Sequence, residues 1–200
     1  MVVRAIRDYH TDATRIFLEE TDLASDVAED ITREAIELLG VPRVHLRLYG
    51  KVDYKRAAVV FLPDREIDVA LMVDSKAEKD GNTATIQMSQ TSMQIRQRRA
   101  GEVIAVDGML PTLIERNGVT LQTVTIVVKY IYKELPVGSR LKKIKIACIP
   151  SGVFQERYNP HHEDSIWKAG RNAPTLGEEF RVRLSFADLA AKSPWRVVEI

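Results

Sequence analysis

The residues best suited to chemistry form an Asp-x-Lys triplet, Asp74-Ser75-Lys76, directly after the apolar run at 69–73. Side chains alternate along a strand, so Asp74 and Lys76 would share one face and Ser75 would offer only its carbonyl oxygen. Oxygen ligands suit Mg²⁺, and a neighbouring ammonium group can stabilise charge on a phosphate. We therefore predict Asp74 and the Ser75 carbonyl as metal ligands and Lys76 as a catalytic residue in phosphodiester hydrolysis by metal-activated water. An exposed ion pair is the alternative interpretation of the triplet.

A second carboxylate is needed, and the Pro63-Asp64 pair is its obvious source. Strand residues advance about 3.3 Å each, so Asp64 would lie on the order of 30 Å from Asp74 on one continuous strand. A hairpin turn centred between Pro63 and Asp64 would instead pair residue 74 with Asp53. Opposed Cβ atoms lie roughly 4.5–5.5 Å apart, which lets two carboxylates share one cation. Asp53 is therefore the predicted catalytic and metal-binding partner of Asp74.

Composition sets broad limits on the whole chain. Its 200 residues are 45% hydrophobic, which predicts one domain over residues 1–200 with a buried core. The net charge of +1 does not predict general coating of nucleic acid, so any DNA binding would use local basic clusters. Two such clusters lie at 95–99 and 140–145, and a solvated surface face is the alternative interpretation of each. Neither a membrane-spanning apolar run nor a signal peptide is recognisable, and we expect a cytoplasmic protein without membrane partners. The single cysteine, Cys148, is interpreted as a buried strand residue.

The pattern along the chain predicts a mixed α/β fold. Residues 11–39 have helical spacing of apolar side chains, whereas 44–62 and 66–74 are rich in strand-forming residues and flank a turn at 63–65. The other predicted elements are a helix over 83–99, strands over 120–135 and 141–150 joined by a turn at 136–139, a strand over 179–186 and a helix over 187–192.

These elements and motifs together resemble the SfiI-type restriction endonucleases, a branch of the PD-(D/E)xK nuclease superfamily. The resemblance covers nearly everything after residue 26 and runs in order through nine segments, at 27–32, 52–56, 72–79, 85–93, 101–104, 130–135, 155–160, 177–186 and 194–199. It implies a restriction-endonuclease-like PD-(D/E)xK core, with a central mixed β-sheet flanked by helices. In that family the acids and the lysine occupy the positions of Asp53, Asp74 and Lys76, in agreement with the hairpin argument.

The same resemblance implies a substrate, a cofactor and an assembly. Members of the family cleave double-stranded DNA at a two-fold symmetric, interrupted site with Mg²⁺, and short 3′ overhangs are the expected product. A symmetric site predicts at least a homodimer, and the resemblance adds a tetramer as the alternative assembly. The alternatives are a structure-specific repair or recombination nuclease of the same fold and a catalytically inactive DNA-binding module. Intact Asp53, Asp74 and Lys76 argue against the inactive module.

Candidate DNA contacts divide into base and phosphate contacts. Arg181 and Arg183 stand two apart on a predicted strand, so their guanidinium groups project from one face and could bridge O6 and N7 of guanine. The alternative is a solubilising charge on an edge strand. Additional base contacts are predicted from a segment shared with the family, at Gln87, Ser89 and Gln90. Phosphate contacts are predicted for Lys55, Arg56, Arg96, Arg98 and Arg99.

Overall fold

The computed structural model describes residues 1–40, 69–79, 81–99, 101–116, 118–169 and 181–200, and only the backbone of 43–44 and 58–62. The α-helices of that part of the chain are α1 (Val2–Asp8), α2 (His10–Glu19), α3 (Ala24–Glu37), α4 (Gln155–Tyr158) and α5 (Phe186–Lys192). Its strands are β1 (Arg43–Val44), β2 (Ala58–Leu62), β3 (Val69–Glu78), β4 (Thr83–Gln87), β5 (Ile95–Arg99), β6 (Glu102–Val106), β7 (Leu113–Arg116), β8 (Val119–Glu134), β9 (Ser139–Ile149), β10 (Trp167–Ala169), β11 (Arg181–Ser185) and β12 (Val197–Glu199).

The helical region predicted for 11–39 is confirmed, because it contains α3 and nearly all of α2. Helix α3 buries Val27, Ile31 and Ala35 along one side, a spacing of four residues that places them on a single helix face. The chain turns after this helix at Gly40, whose φ is +63 and whose N–H donates to the Glu37 carbonyl at 2.9 Å. Helix α1 was not predicted.

A seven-stranded main sheet runs in the order β1-β2-β3-β8-β9-β12, with β7 also paired to β8. Strands β3 and β8 are parallel, and the other pairs of this sheet are antiparallel, so the sheet is mixed as predicted. The hairpin of β8 and β9 confirms the two predicted strands and their turn at 136–139. Cys148 lies in β9, where burial raises the pKa of its thiol.

The two faces of the main sheet carry different layers. Helices α1, α2 and α3 pack on the face that presents Val73, Val128 and Tyr130. The opposite face presents Val127 and Ala147 and packs against a second sheet of three strands, in the order β10-β11-β4, and against α5. This second sheet is called the small sheet below. Helix α5 confirms the helix predicted for 187–192, and β11 lies within the strand predicted for 179–186.

The helix predicted for residues 83–99 is wrong. This segment forms β4, a short 3₁₀ helix at Met88–Gln90, and then β5, which pairs with β6 in a separate two-stranded ribbon. Burial in β4 alternates with a period of two, since Ala84 and Ile86 are buried while their neighbours are half-exposed. That period is typical of a strand with one face against a core.

No helix among the described residues is long and apolar enough to cross a membrane.

A tight contact at Gly138 generates a stability prediction. The φ of Gly138 is +69, and a Cβ atom there would lie 2.2 Å from the Leu18 carbonyl oxygen of α2. Gly138→Ala would combine left-handed strain of about 1–2 kcal/mol with a further cost of about 1–3 kcal/mol for overpacking. Gly40→Ala is the matched control, because its φ is also positive but nothing lies within 4 Å of the added Cβ. In urea denaturation we expect Gly138→Ala to lose clearly more stability, and equal losses would contradict the close packing of this turn on α2.

Candidate active site

The predicted triplet lies near the end of β3, on the face of the main sheet that packs against the small sheet. Asp74 and Lys76 share this face, and the Lys76 Nζ lies 3.0 Å from Asp74 Oδ2. Their side chains are 17% and 20% exposed respectively, so this pair is largely withdrawn from water. Ser75 is buried and lies between them on the strand, with its side chain on the opposite face. The interpretation of the triplet as an exposed surface ion pair therefore does not fit.

One carboxylate oxygen of this pair is available to a cation. Asp74 Oδ2 is buried and accepts no hydrogen bond from the described residues. The Lys76 ammonium is within ion-pair distance of it, but its orientation is not that of a hydrogen bond. A buried anionic oxygen that lacks a donor is costly unless a cation completes its surroundings. The Asp74 carboxylate therefore fits a hard divalent cation such as Mg²⁺.

The hairpin between β2 and β3 exists, but its predicted register is wrong. Val73 pairs with Ala58, and Val69 pairs with Leu62. A turn centred between residues 63 and 64 would have paired Val73 with residue 54, so the observed turn is centred further along the chain. The geometric argument that placed Asp53 opposite Asp74 therefore does not hold, and the assignment of Asp53 stands on the family resemblance. Asp53 lies outside the described residues, as do Asp64, Lys55 and Arg56.

A second buried ion pair lies beside the triplet, and the sequence analysis missed it. Lys129 of β8 is directly in register with Lys76 of β3, and its Nζ lies 3.0 Å from Glu78 Oε2. The Lys129 side chain is fully buried. A lysine within the apolar, β-branched stretch of residues 124–131 was the signal available in the sequence, since such a strand tolerates a charge only when it is paired.

The small sheet brings together three of the predicted base contacts. Arg181 of β11 pairs directly with Gln87 of β4, and Arg183 pairs with Thr85. All four side chains lie on one face of the small sheet and are half-exposed. Arg183 also donates to the Thr83 hydroxyl at 3.4 Å. Gln87 was predicted from a segment shared with the family, and the strand pairing is what places it beside Arg181.

Two other predicted base contacts are inside the protein. Ser89 is 4% exposed and Gln90 is 6% exposed. The Gln90 side chain accepts a hydrogen bond from the Gln87 backbone N–H at 3.0 Å and caps the short 3₁₀ helix. Direct contact with a base does not fit their burial, and the Gln90 side chain instead stabilises the end of β4. Lys168 of β10 was not predicted from the sequence. It is the register partner of Arg183 on the edge of β11 that faces away from β4.

The three arginines of β5 have different surroundings. Arg96 forms an ion pair with Glu156 at 3.1 Å and donates to the Pro160 carbonyl, so it stabilises the segment around α4. Arg99 donates to the Arg181 carbonyl and thereby ties β5 to β11, and burial lowers the pKa of its guanidinium. Arg98 is exposed, with a 3.4 Å contact to His162. Of the three, Arg98 is the best placed to contact phosphate.

The described residues contain no group of three or more His, Cys, Asp or Glu side chains that could hold a metal ion by itself. A metal site at Asp74 and the Ser75 carbonyl would therefore take its other ligands from outside this part of the chain, the role predicted for Asp53. What the described part provides is a buried carboxylate, a lysine beside it and an arginine-bearing sheet against the same face. This combination is suited to binding and hydrolysing a polyanion.

Comparison with known proteins agrees with this chemistry. A family model described as the type II restriction enzyme SfiI matches residues 6–200. The type II restriction enzyme SfiI of Streptomyces fimbriatus is 34% identical over 216 residues, which cover 100% of this chain and 80% of that protein.

Two solved structures are similar over the whole chain. The crystal structure of the tetrameric restriction endonuclease SfiI bound to cognate DNA matches with a TM-score of 0.83 and 29% identity, covering 100% of this chain and 79% of that one. The structure of the restriction endonuclease BglI bound to its DNA recognition sequence matches with a TM-score of 0.75 and 16% identity, covering 100% of this chain and 86% of that one. At that identity the similarity to BglI concerns the fold alone.

Proposed function

The chain belongs to the SfiI family of type II restriction enzymes, and on that premise we propose that it hydrolyses both strands of DNA at an interrupted palindromic site containing G·C pairs. Mg²⁺ is the proposed cofactor, and short 3′ overhangs are the proposed product. The observation that carries this proposal is the buried Asp74 carboxylate with Lys76 at 3.0 Å. Within the described residues, Asp74 Oδ2 is buried beside an ammonium group yet accepts no hydrogen bond, which suits a site that also receives a metal ion better than a purely structural ion pair.

Each residue of the proposed catalytic site has a separate role. Asp53, Asp74 and the Ser75 carbonyl would hold Mg²⁺, which when bound lowers the pKa of a water molecule and offsets charge on the phosphate. Asp74 also fixes the ammonium of Lys76, whose 3.0 Å contact keeps this cation on the metal-binding side of the strand. Lys76 in turn stabilises the negative charge that develops on the phosphate oxygens during hydrolysis. The 17% exposure of Asp74 limits competing water around these charges.

Recognition of the DNA sequence is assigned to the small sheet. Arg181, Arg183 and Gln87 lie on one face of it, and arginine can bridge two acceptors of guanine in the major groove. Backbone phosphates are assigned to Arg98 and to two basic residues outside the described part, Lys55 and Arg56. Arg99 and Arg96 have structural contacts instead. Arg99 donates to the Arg181 carbonyl and links β5 to β11, and Arg96 pairs with Glu156 and links β5 to α4.

Assembly follows from the symmetry of the substrate. A palindromic site presents the same groups twice, and a two-fold symmetric protein matches them with two copies of one active site. A homodimer of the single domain at residues 1–200 is therefore the proposed minimal unit. The similar SfiI structure is a tetramer bound to DNA, which makes a dimer of dimers the second candidate. The proposed location is the cytoplasm.

Digestion of unmethylated phage DNA tests the function directly. With Mg²⁺ we expect discrete fragments, and sequencing of their ends would give the target, the spacer and the overhang together. Asp74→Ala and Asp53→Ala should each lower the cleavage rate by at least about 10²–10³-fold, since either change removes a charge that stabilises the reacting centre. Asp64→Ala is the control for Asp53→Ala, and the Asp64→Ala variant should cleave at nearly the wild-type rate.

Other outcomes of this digestion would contradict the proposal. Branch-dependent cutting or a continuous smear would support a structure-specific nuclease, and tight binding without cutting would support an inactive DNA-binding module. Equal losses from Asp53→Ala and Asp64→Ala, with unchanged circular dichroism spectra, would remove Asp53 from the site.

The small sheet generates a separate prediction about specificity. Arg181→Ala or Arg183→Ala should weaken binding to the cleaved sequence by about 1–3 kcal/mol and leave non-specific affinity almost unchanged, because each variant loses a base contact. The control Arg98→Ala should weaken specific and non-specific binding alike. It should also lower the slope of log affinity against log salt concentration by about one, as expected for the loss of a phosphate contact. Fluorescence anisotropy with Ca²⁺ in place of Mg²⁺ would measure these affinities. A uniform loss from Arg181→Ala and Arg183→Ala would contradict base recognition by β11.

A further inference from the structure

Lys76 has two carboxylates at equal spacing along its own strand. Asp74 precedes it by two residues and Glu78 follows it by two residues, so all three side chains lie on one face of β3. Residues two apart on a strand are separated by about 6.6 Å, and a lysine side chain can reach either neighbour. In the structure Lys76 contacts Asp74 at 3.0 Å, while Glu78 has a different partner.

That partner is Lys129, which satisfies one oxygen of Glu78. The Lys129 Nζ lies 3.0 Å from Glu78 Oε2, and the Thr85 backbone N–H donates to Glu78 Oε1 at 3.2 Å. Each carboxylate oxygen of Glu78 therefore already has a donor. Because Glu78 is held in this way, it does not compete with Asp74 for the ammonium of Lys76.

Lys129 itself cannot leave this position at low cost. Its side chain is 0% exposed, and a buried ammonium group requires an anionic or polar partner in place of water. Besides Glu78, it donates to the Thr83 carbonyl, and its Nζ lies 5.9 Å from the centre of the Phe186 ring. These contacts come from β3, β4 and α5, so the position of Lys129 is fixed by three separate elements.

The register of β3 and β8 adds a second effect. Lys76 and Lys129 are direct partners on parallel strands, whose backbones lie about 4.8 Å apart. Like charges on adjacent strands repel each other, so Lys129 opposes movement of the Lys76 ammonium toward Glu78. Asp74, on the other side of Lys76, pairs in register with the uncharged Val127. Repulsion from Lys129 and attraction to the Asp74 carboxylate therefore both direct the Lys76 ammonium toward Asp74.

We propose that Lys129 is a positioning residue for the cleavage reaction: by holding Glu78, it keeps the ammonium of Lys76 on Asp74. This inference rests on the proposed function, because it assigns Lys76 to catalysis. Lys129 does not contact the substrate in this scheme and acts only through Glu78 and Lys76. Removal of Lys129 alone would free Glu78 to capture Lys76, whereas removal of both charges would leave Lys76 with Asp74 again.

Three variants test this arrangement. Lys129→Met keeps the unbranched apolar stem and removes the ammonium, and the double variant Glu78→Gln/Lys129→Met also removes the competing carboxylate. The control is Lys145→Met. Lys145 is the register partner of Lys129 on β9 and lies 5.8 Å from the same Phe186 ring, but its carboxylate partner is Glu199.

The measurement is the single-turnover cleavage rate on DNA that the wild type cuts, together with affinity for this DNA in Ca²⁺. We expect Lys129→Met to lower the rate by about 10–100-fold, as displacement of a catalytic group does, with affinity within about 2-fold. The double variant should recover to within about 3-fold of the wild type, and Lys145→Met should cleave normally. A double variant as slow as Lys129→Met would overturn the proposal, because removal of the competing Glu78 carboxylate would then not restore Lys76. A structural role of Lys129 that does not involve Lys76 is distinguished by the position of the Lys76 ammonium in the crystal.

A crystal structure of Lys129→Met provides a readout independent of cleavage. The proposal requires the Lys76 Nζ to lie closer to Glu78 than to Asp74 in this variant, and an unmoved Lys76 would overturn it. If Lys129→Met does not fold, the double variant decides, since a folded but inactive double variant contradicts the scheme. A wild type that cleaves no DNA would refute the proposed function instead, and the position of Lys76 in the crystal would still test the pairing.

Discussion

Charges on the buried face of the main sheet must be paired, and the parallel register of β3 and β8 determines which pairs form. Desolvation of an isolated ammonium or carboxylate costs several kcal/mol, so each charge on this face needs a partner within reach. The register places Lys129 beside Lys76 and leaves Asp74 beside Val127. Lys129 pairs with Glu78 and Lys76 pairs with Asp74. A shift of β3 by one residue would send Asp74, Lys76 and Glu78 to the face covered by the helices and separate Glu78 from Lys129.

The same constraint connects the catalytic strand to the small sheet. Glu78 accepts a hydrogen bond from the Thr85 backbone, and Lys129 donates to the Thr83 carbonyl, so two residues of β3 and β8 hold the beginning of β4. Thr83 also accepts a hydrogen bond from Arg183 of β11. The strand that would read the DNA and the strand that would cut it are therefore joined through a few partly buried polar contacts. Such contacts are sensitive to small displacements, because an unsatisfied buried group is costly.

Sequence patterns predicted the secondary structure correctly where the side chains followed only the two-residue period of a strand or formed a long β-branched run. Alternation along β3 correctly placed Asp74 and Lys76 on one face, and the long β-branched stretches gave β8 and β9. The register of the first hairpin was wrong because it depends on turn length, which the residues at 63–65 do not specify. The segment at 83–99 lacks glycine and proline and carries Ile86, Met93 and Gln97 at a spacing that suits one side of a helix, so its strand alternation was not recognised. Lys129 was missed because its partner, Glu78, is distant in sequence and meets it only through the sheet.

We propose that Asp53 and Asp74 hold one divalent cation beside Lys76. A crystal structure of the complex with cleavable DNA and Ca²⁺, which occupies such sites without supporting rapid cleavage, measures this directly. We expect an ion with oxygens of both Asp53 and Asp74 at about 2.3–2.6 Å, and a phosphate oxygen of the DNA next to the ammonium of Lys76. An ion bound to Asp74 while Asp53 lies away from it, or an ion remote from both acids, would show that the two acids do not share one metal site.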